Sequence, residues 1–293
     1  MREPVHIIGA SGKSGQALIR HLLAEGIGVV PVVRSPAWRP PEDLRAHPRL
    51  APVRRADLAD ARALRAALRD AGAIVNTAHA RHTASLLAAA PAAARLVLLG
   101  STRRFTRFPD PRAAEVAAGE AAFLASGRAG VMLHPTMIYG AAGERNVQRL
   151  ADILRRLPIV PLPGGGRNLV QPIYQDDVTA AIVAALGIAW EKPEILVIAG
   201  PAPITYADFT RAVAAAAGLR RPRLVPAPGL LLALAARFGR HVPGVPRVDK
   251  EEIRRLLEDK SFDIEPMIAR LGIRPTPLAE GLARTFERAK ISK

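Results

Sequence analysis

Gly9-Ala10-Ser11-Gly12-Lys13-Ser14-Gly15 follows the apolar run Val5-His6-Ile7-Ile8 and leads directly into Gln16-Ala17-Leu18-Ile19-Arg20-His21-Leu22-Leu23. The order is buried strand, glycine turn, amphipathic helix, which is the arrangement a dinucleotide's pyrophosphate requires. Gly9 permits the sharp turn, Gly12 lets the backbone approach the phosphates, and Gly15 lets the helix pack close to the strand. Ser11, Lys13 and Ser14 complete the loop. The helix start then offers unpaired N–H groups and a positive dipole end to an anion.

Outward from this loop, strands and helices alternate in the doubly wound manner. Val5–Ile8, Gly28–Val33, Leu50–Arg54, Ala73–Thr77, Leu96–Leu99 and Val131–Leu133 read as strands. Ser14–Glu25, Asp60–Asp70 (with Asp60 as cap), Thr83–Ala90 and Pro111–Ala125 read as helices. Pro31 cannot donate a ladder hydrogen bond and predicts a bulge or an edge. After Gly140 the rhythm breaks into a helix over Val147–Leu157, a proline- and glycine-rich turn over 161–166 and a strand over Leu169–Tyr174. A helix capped by Asp176 or Asp177 and a strand over Glu194–Ile198 follow, then a mainly helical tail from Pro201. The expected fold class is α/β: a Rossmann parallel sheet over 1–140 and 169–200, with a small discontinuous substrate lobe over 141–168 and 201–293.

Bulk properties narrow the function classes. The 293-residue chain has no cysteine, which rules out disulfides, thiol nucleophiles and cysteine metal sites. No His/Asp/Glu cluster has metal-ligand spacing, so no metal is expected. The first strand begins within four residues of Met1, and no apolar run approaches the ~20 residues of a membrane span, so a cytoplasmic protein is expected. The net charge of +16 is spread along the chain, and aromatics make up 4%. That pattern argues against nucleic acid, which calls for a basic stripe and stacking platforms.

With these elements in place, the chain resembles the extended and atypical short-chain dehydrogenase/reductase superfamily, the group of NAD-dependent epimerases and dehydratases. Its flavour is close to the branch containing the accessory subunit of respiratory complex I. The resemblance rests on Gly9–Gly15, Ala56-Asp57-Leu58, Asn76-Thr77-Ala78-His79, Ser101-Thr102, His134-Pro135-Thr136-Met137-Ile138-Tyr139-Gly140 and Gln171-Pro172-Ile173-Tyr174-Gln175-Asp176-Asp177-Val178. It implies an oxidoreductase acting on a carbonyl or secondary alcohol, such as a sugar nucleotide or a lipid-linked ketone. It also implies a cofactor held by the loop together with Asp57, Leu58, Thr77, Ala78, His79 and Pro135.

The superfamily's Tyr-x-x-x-Lys pair is absent: Tyr139, Tyr174 and Tyr206 are followed four residues on by Gly143, Val178 and Thr210. Aligning Glu120 with the family's glutamate puts Arg112 and Val116 at the tyrosine and lysine positions. Ser101, Thr102 and Tyr139 remain as candidates for the chemistry, Tyr139 having core packing as its alternative. A catalytically silent nucleotide-binding sensor or assembly subunit is the second reading.

Arg34 stands at the end of the second strand, where an NAD-selective site usually has an acidic residue. With Ser35 and Lys13 beside it, Arg34 suits a ribose 2′-phosphate, so NADP(H) is expected over NAD(H). Asp57 either meets the adenine or caps its own turn. His79 reads as a cofactor neighbour, and His134 as a packed or hydrogen-bonded structural side chain. Arg145-Asn146 and Arg167-Asn168 suit either a phosphate-bearing small-molecule substrate or plain solvation. Leu230–Phe238, with its basic flanks, suits lobe core better than peripheral membrane contact. A homodimer is compatible with all of this.

Overall fold

The computed structural model describes residues 3–143, 146–157, 159–228 and 257–291. The chain opens with β1 (Val5–Ile8), α1 (Lys13–Ala24), β2 (Val29–Val33), a short α2 (Glu42–Arg45) and β3 (Arg54–Arg55). It continues through α3 (Ala61–Leu68), β4 (Ala73–Asn76), α4 (Thr83–Ala89), β5 (Arg95–Leu99), α5 (Pro111–Ala125) and β6 (Gly130–Pro135). Then come β7 (Ile138–Tyr139), α6 (Asn146–Arg156), β8 (Ile159–Pro163), β9 (Leu169–Val170), β10 (Ile173–Tyr174), α7 (Gln175–Gly187) and β11 (Pro193–Ile198). The described chain ends with β12 (Ile204–Thr205), α8 (Tyr206–Ala216), β13 (Arg223–Ala227), α9 (Glu265–Leu271) and α10 (Leu278–Ile291).

Seven strands form one parallel sheet in the order β11-β6-β5-β4-β1-β2-β3. Both faces are covered, which is why the central strands β1, β2, β4 and β6 are buried along their whole length rather than alternating. Leu18 and Leu22 of α1 and Val178 and Ile182 of α7 pack on one face with Ile7, Val75 and Val97. Leu64 and Leu68 of α3, Leu86 of α4 and Phe123 of α5 pack on the other with Ile8, Ile74 and Leu96. The strand order reverses between β1 and β4, and ligands of such sheets bind beyond the carboxyl ends of the strands at that switch point. Gly9 and Thr77 leave the sheet there.

Pro31 sits where its missing N–H costs nothing. Val29 and Val33 bond outward to Arg49, Ala51 and Ala56, so by alternation Pro31 also faces outward. There the outer strand is interrupted, leaving only a bridge at Leu50 and the pairing of Arg54–Arg55 with Val32–Val33. The strand expected over Leu50–Arg54 is thus broken around Pro52.

A third core joins Tyr139, Val147, Leu154, Leu162, Tyr174, Phe209, Val213, Leu282 and Phe286. α9 packs elsewhere: Met267 and Leu271 enter the first sheet core, while Arg270 pairs with Glu194 and stacks on Trp190. The connection expected over 161–166 is partly strand, because β8 pairs with β13 before Gly164–Gly166 turn with positive φ. The strand expected over Leu169–Tyr174 divides into β9 and β10, which pair with β12 and β7 respectively. Neither Asp176 nor Asp177 caps α7, whose N-cap is Tyr174. Asp177 instead accepts hydrogen bonds from the Thr276 amide and hydroxyl, and Asp176 pairs with Arg288. Among the described residues, no helix is long and apolar enough to cross a membrane.

Candidate functional site

The glycine loop is built for close approach. Gly9 has φ +77°, and a Cβ on it would lie 2.7 Å from Thr77 Oγ1 and 2.8 Å from the Ala78 nitrogen. Gly15 is buried beneath the Gly9 carbonyl, and a Cβ there would be driven into that oxygen. At exposed Gly12 a Cβ would meet only the Gly9 oxygen, at 3.2 Å, with open space otherwise. Gly12 is also the N-cap of α1 and brings no side-chain acceptor. The first-turn amides, including those of Lys13 and Ser14, lack intrahelical partners and face an approaching anion. These residues fit a dinucleotide pyrophosphate. Ser11 accepts from Gln16 Nε2 through its carbonyl. The Ser14 hydroxyl donates to Gln175 of α7, which makes it a tie between helices.

Thr77 fixes the opposite wall. Its hydroxyl reaches the carbonyls of Ile8 at 2.9 Å and Gly9 at 3.2 Å. Asn76 Oδ1 accepts the Ala78 amide, which locks the exit from β4. His79 caps the next turn by accepting the Arg81 amide on Nδ1. Burial holds the His79 imidazole below its ordinary pKa, with Glu115 opposing and Arg81, Arg112 and Arg103 adding to the shift. Of these arginines, Arg81 faces Glu115 at 3.9 Å and Arg103 pairs with Asp110 at 2.5 Å.

Arg34 and Ser35 are exposed just beyond β2. Burial holds the His82 imidazole below its ordinary pKa, with Arg81 and Arg34 adding to the shift and Asp57 opposing it. Asp57 caps its own turn: Oδ1 accepts the Ala59 amide at 2.9 Å. Leu58 packs against the second sheet core.

Past β5, Ser101 Oγ accepts the Arg103 amide at 3.1 Å, which leaves its own proton to be donated elsewhere. Thr102 is turned inward, its hydroxyl donating to the Pro135 carbonyl. Tyr139 lies in the third core, 1% exposed. Its hydroxyl abuts Gly281 of α10, its ring is 5.5 Å from Tyr174, and burial raises its pKa. The packing alternative for Tyr139 therefore describes what the structure shows.

His134 is fully buried, and its Nδ1 accepts the Ser101 amide at 2.8 Å. Its Nε2 lies 2.7 Å from Glu120 Oε2, which is also 2.7 Å from Arg104 Nε. Sequence reasoning placed His134 correctly as a hydrogen-bonded side chain but did not bring Glu120 and Arg104 to it. It also missed Glu258, 3% exposed, which accepts from the Thr106 hydroxyl, the Arg107 amide and Lys260. No local pattern announces a partner 151 residues away.

Asn168 donates to Leu257 O and Asp259, tying the start of β9 to residues 257–259, while Arg167 is exposed. Arg145 and the Leu230–Phe238 stretch lie outside the described residues.

Residues 9–116 match the model of a family described as NAD(P)H-binding. Among curated proteins, none matches the sequence significantly. Among solved structures, MoeE5 in complex with UDP-glucose and NAD is 20% identical with a TM-score of 0.73, and the match covers 99% of each chain. The dTDP-glucose 4,6-dehydratase DesIV from Streptomyces venezuelae, with NAD bound, is 21% identical with a TM-score of 0.73, over 98% of this chain and 97% of that one. UDP-glucose 4-epimerase from Thermotoga maritima, with UDP-glucose, is 15% identical with a TM-score of 0.72 over 99% of each chain. Residues 9–116 are thus similar to an NAD(P)H-binding family, and the chain shares its Rossmann fold with these dehydratase and epimerase structures.

Proposed function

We propose that the protein is an NADP(H)-dependent oxidoreductase that acts on a carbonyl or secondary alcohol of a phosphate-bearing small molecule. The observation that carries this reading is the Gly9–Gly15 loop at the sheet's switch point, with Arg34 where an acidic residue would repel a 2′-phosphate. Gly9, Gly12, Lys13, Ser14, Thr77 and Ala78 would hold the pyrophosphate side, and Arg34 and Ser35 the 2′-phosphate. When bound, the nicotinamide supplies hydride chemistry.

Ser101 supplies the polarising group. Because its oxygen accepts the Arg103 amide, its O–H is a stronger donor towards a substrate oxygen. Thr102 acts from behind, by fixing the turn to Pro135. A phosphate-bearing substrate would be in keeping with the nucleotide sugars bound by MoeE5 and the epimerase.

The missing Tyr-x-x-x-Lys pair favours a second reading, a silent NADP(H)-binding sensor or assembly subunit. Hydride-transfer assays over ketones and sugar nucleotides separate the two. Turnover that falls in Ser101→Ala more than cofactor binding does supports the enzyme. No turnover, with stability that differs between NADPH- and NADP⁺-bound protein, supports the sensor.

A further inference from the structure

The loop that carries Ser101 is held from two sides. Below it, His134 Nδ1 accepts the Ser101 amide, so the imidazole carries its proton on Nε2, the nitrogen facing Glu120. Arg104, from the same loop, closes onto that carboxylate and stacks over Phe105. Above it, Glu258 grips Thr106 and Arg107, and Phe262 packs on Phe105 at 5.6 Å. Gly100, which precedes Ser101, admits no Cβ because the His134 ring occupies that space. His134 therefore meets both the backbone of Ser101 and the Glu120–Arg104 pair.

We propose that His134 is a positioning residue for the reacting-oxygen site: its unprotonated Nδ1 fixes the Ser101 amide and so aims the Ser101 hydroxyl, while Glu120 and Arg104 hold the imidazole in the required tautomer. This inference rests on the oxidoreductase reading for its kinetic consequence but not for its geometry. Protonating Nδ1 would replace the acceptor with a donor and expel the Ser101 amide. The charged groups that face the ring are Glu120 from α5, which opposes loss of the proton, and Arg104, which favours it. Burial is the largest influence, and it lowers the imidazole's pKa below its ordinary value.

The test uses the NADPH-loaded, ¹⁵N-serine-labelled protein, with the Ser101 amide assigned by its loss in Ser101→Ala. His134→Asn places Oδ1 where Nδ1 was, whereas His134→Leu has no acceptor. The expected result is an upfield shift of the Ser101 amide in His134→Leu and a near-native position in His134→Asn. In the carbonyl assay, kcat should fall roughly ten- to a hundredfold in the leucine variant and largely recover in the asparagine one. The NADPH dissociation constant should be unchanged in both. If His134→Leu does not fold, acidification of the unsubstituted protein decides, since the Ser101 amide must move together with the His134 ring signals. An amide indifferent to His134→Leu or to that titration overturns the proposal, as does an asparagine variant as slow as the leucine one. Absence of turnover in every form, with the amide responding as expected, removes the oxidoreductase reading and leaves His134 as the residue that holds Ser101.

Discussion

Gly15 passes so close beneath Gly9 that a β-carbon on it would collide with the Gly9 carbonyl oxygen, whereas a β-carbon on Gly12 would stand 3.2 Å from the same atom. The loop's glycines therefore fail in different ways. Gly15→Val should destabilise the fold by about 1–3 kcal/mol or more, because backbone must move to admit it. Gly12→Val should melt close to the unsubstituted protein and yet lose nucleotide binding, since its side chain fills the phosphates' approach. Thermal melts with and without NADPH check both.

Arg34→Ala should weaken NADPH by roughly ten- to a hundredfold, the loss of one charge-assisted contact of about 1.5–3 kcal/mol, and leave NADH nearly unchanged. Paired titrations of each variant with the two nucleotides measure this. Equal losses for both nucleotides would mean that Arg34 does not meet the 2′-phosphate.

The nucleotide-binding half was legible because its signals are local. Gly9, Gly12 and Gly15 lie within seven residues of one another, Asp60 does cap α3 by accepting from Arg62 and Ala63, and Pro111 does open α5. Pro31 also gave true information, since the outer strand breaks opposite it. What was not legible depends on partners distant in sequence. Asp177 looks like a cap beside its own helix, yet Thr276 claims it from 99 residues away. β8 pairs with β13 through runs containing Pro161, Pro163 and Pro226, the first of which reads as a turn in isolation and the second as part of a mainly helical tail. Glu120 and His134 were each noticed, but their juxtaposition needs α5 laid across β6.

Glu258→Ala should destabilise the protein by about 2–4 kcal/mol, because the Thr106 hydroxyl and the Arg107 amide would lose a buried charged acceptor. Differential scanning calorimetry would show this as a melting point lower by several degrees. A melt unchanged from the unsubstituted protein would mean that Glu258 does not hold the loop carrying Thr106 and Arg107.

Acid should weaken the fold through its buried histidines. Burial lowers the pKa of both His6 and His134 below the ordinary 6.5. Below that pH the unfolded chain binds protons that the folded chain refuses, so stability falls as pH drops through about 6.5 towards 5. Denaturant melts at pH 7.5 and pH 5.5 should differ in midpoint, and His6→Asn should reduce the difference. An unchanged midpoint between the two pH values would count against neutral burial of these rings.

If the Gly9–Gly15 loop and Arg34 together make an NADP(H) site, isothermal titration of the purified protein with NADPH and NADH should show one nucleotide per chain and NADPH tighter than NADH by at least about tenfold. Gly12→Val should give no heat of binding. Failure of both nucleotides to bind the folded protein, or retained binding in Gly12→Val, would contradict that assignment.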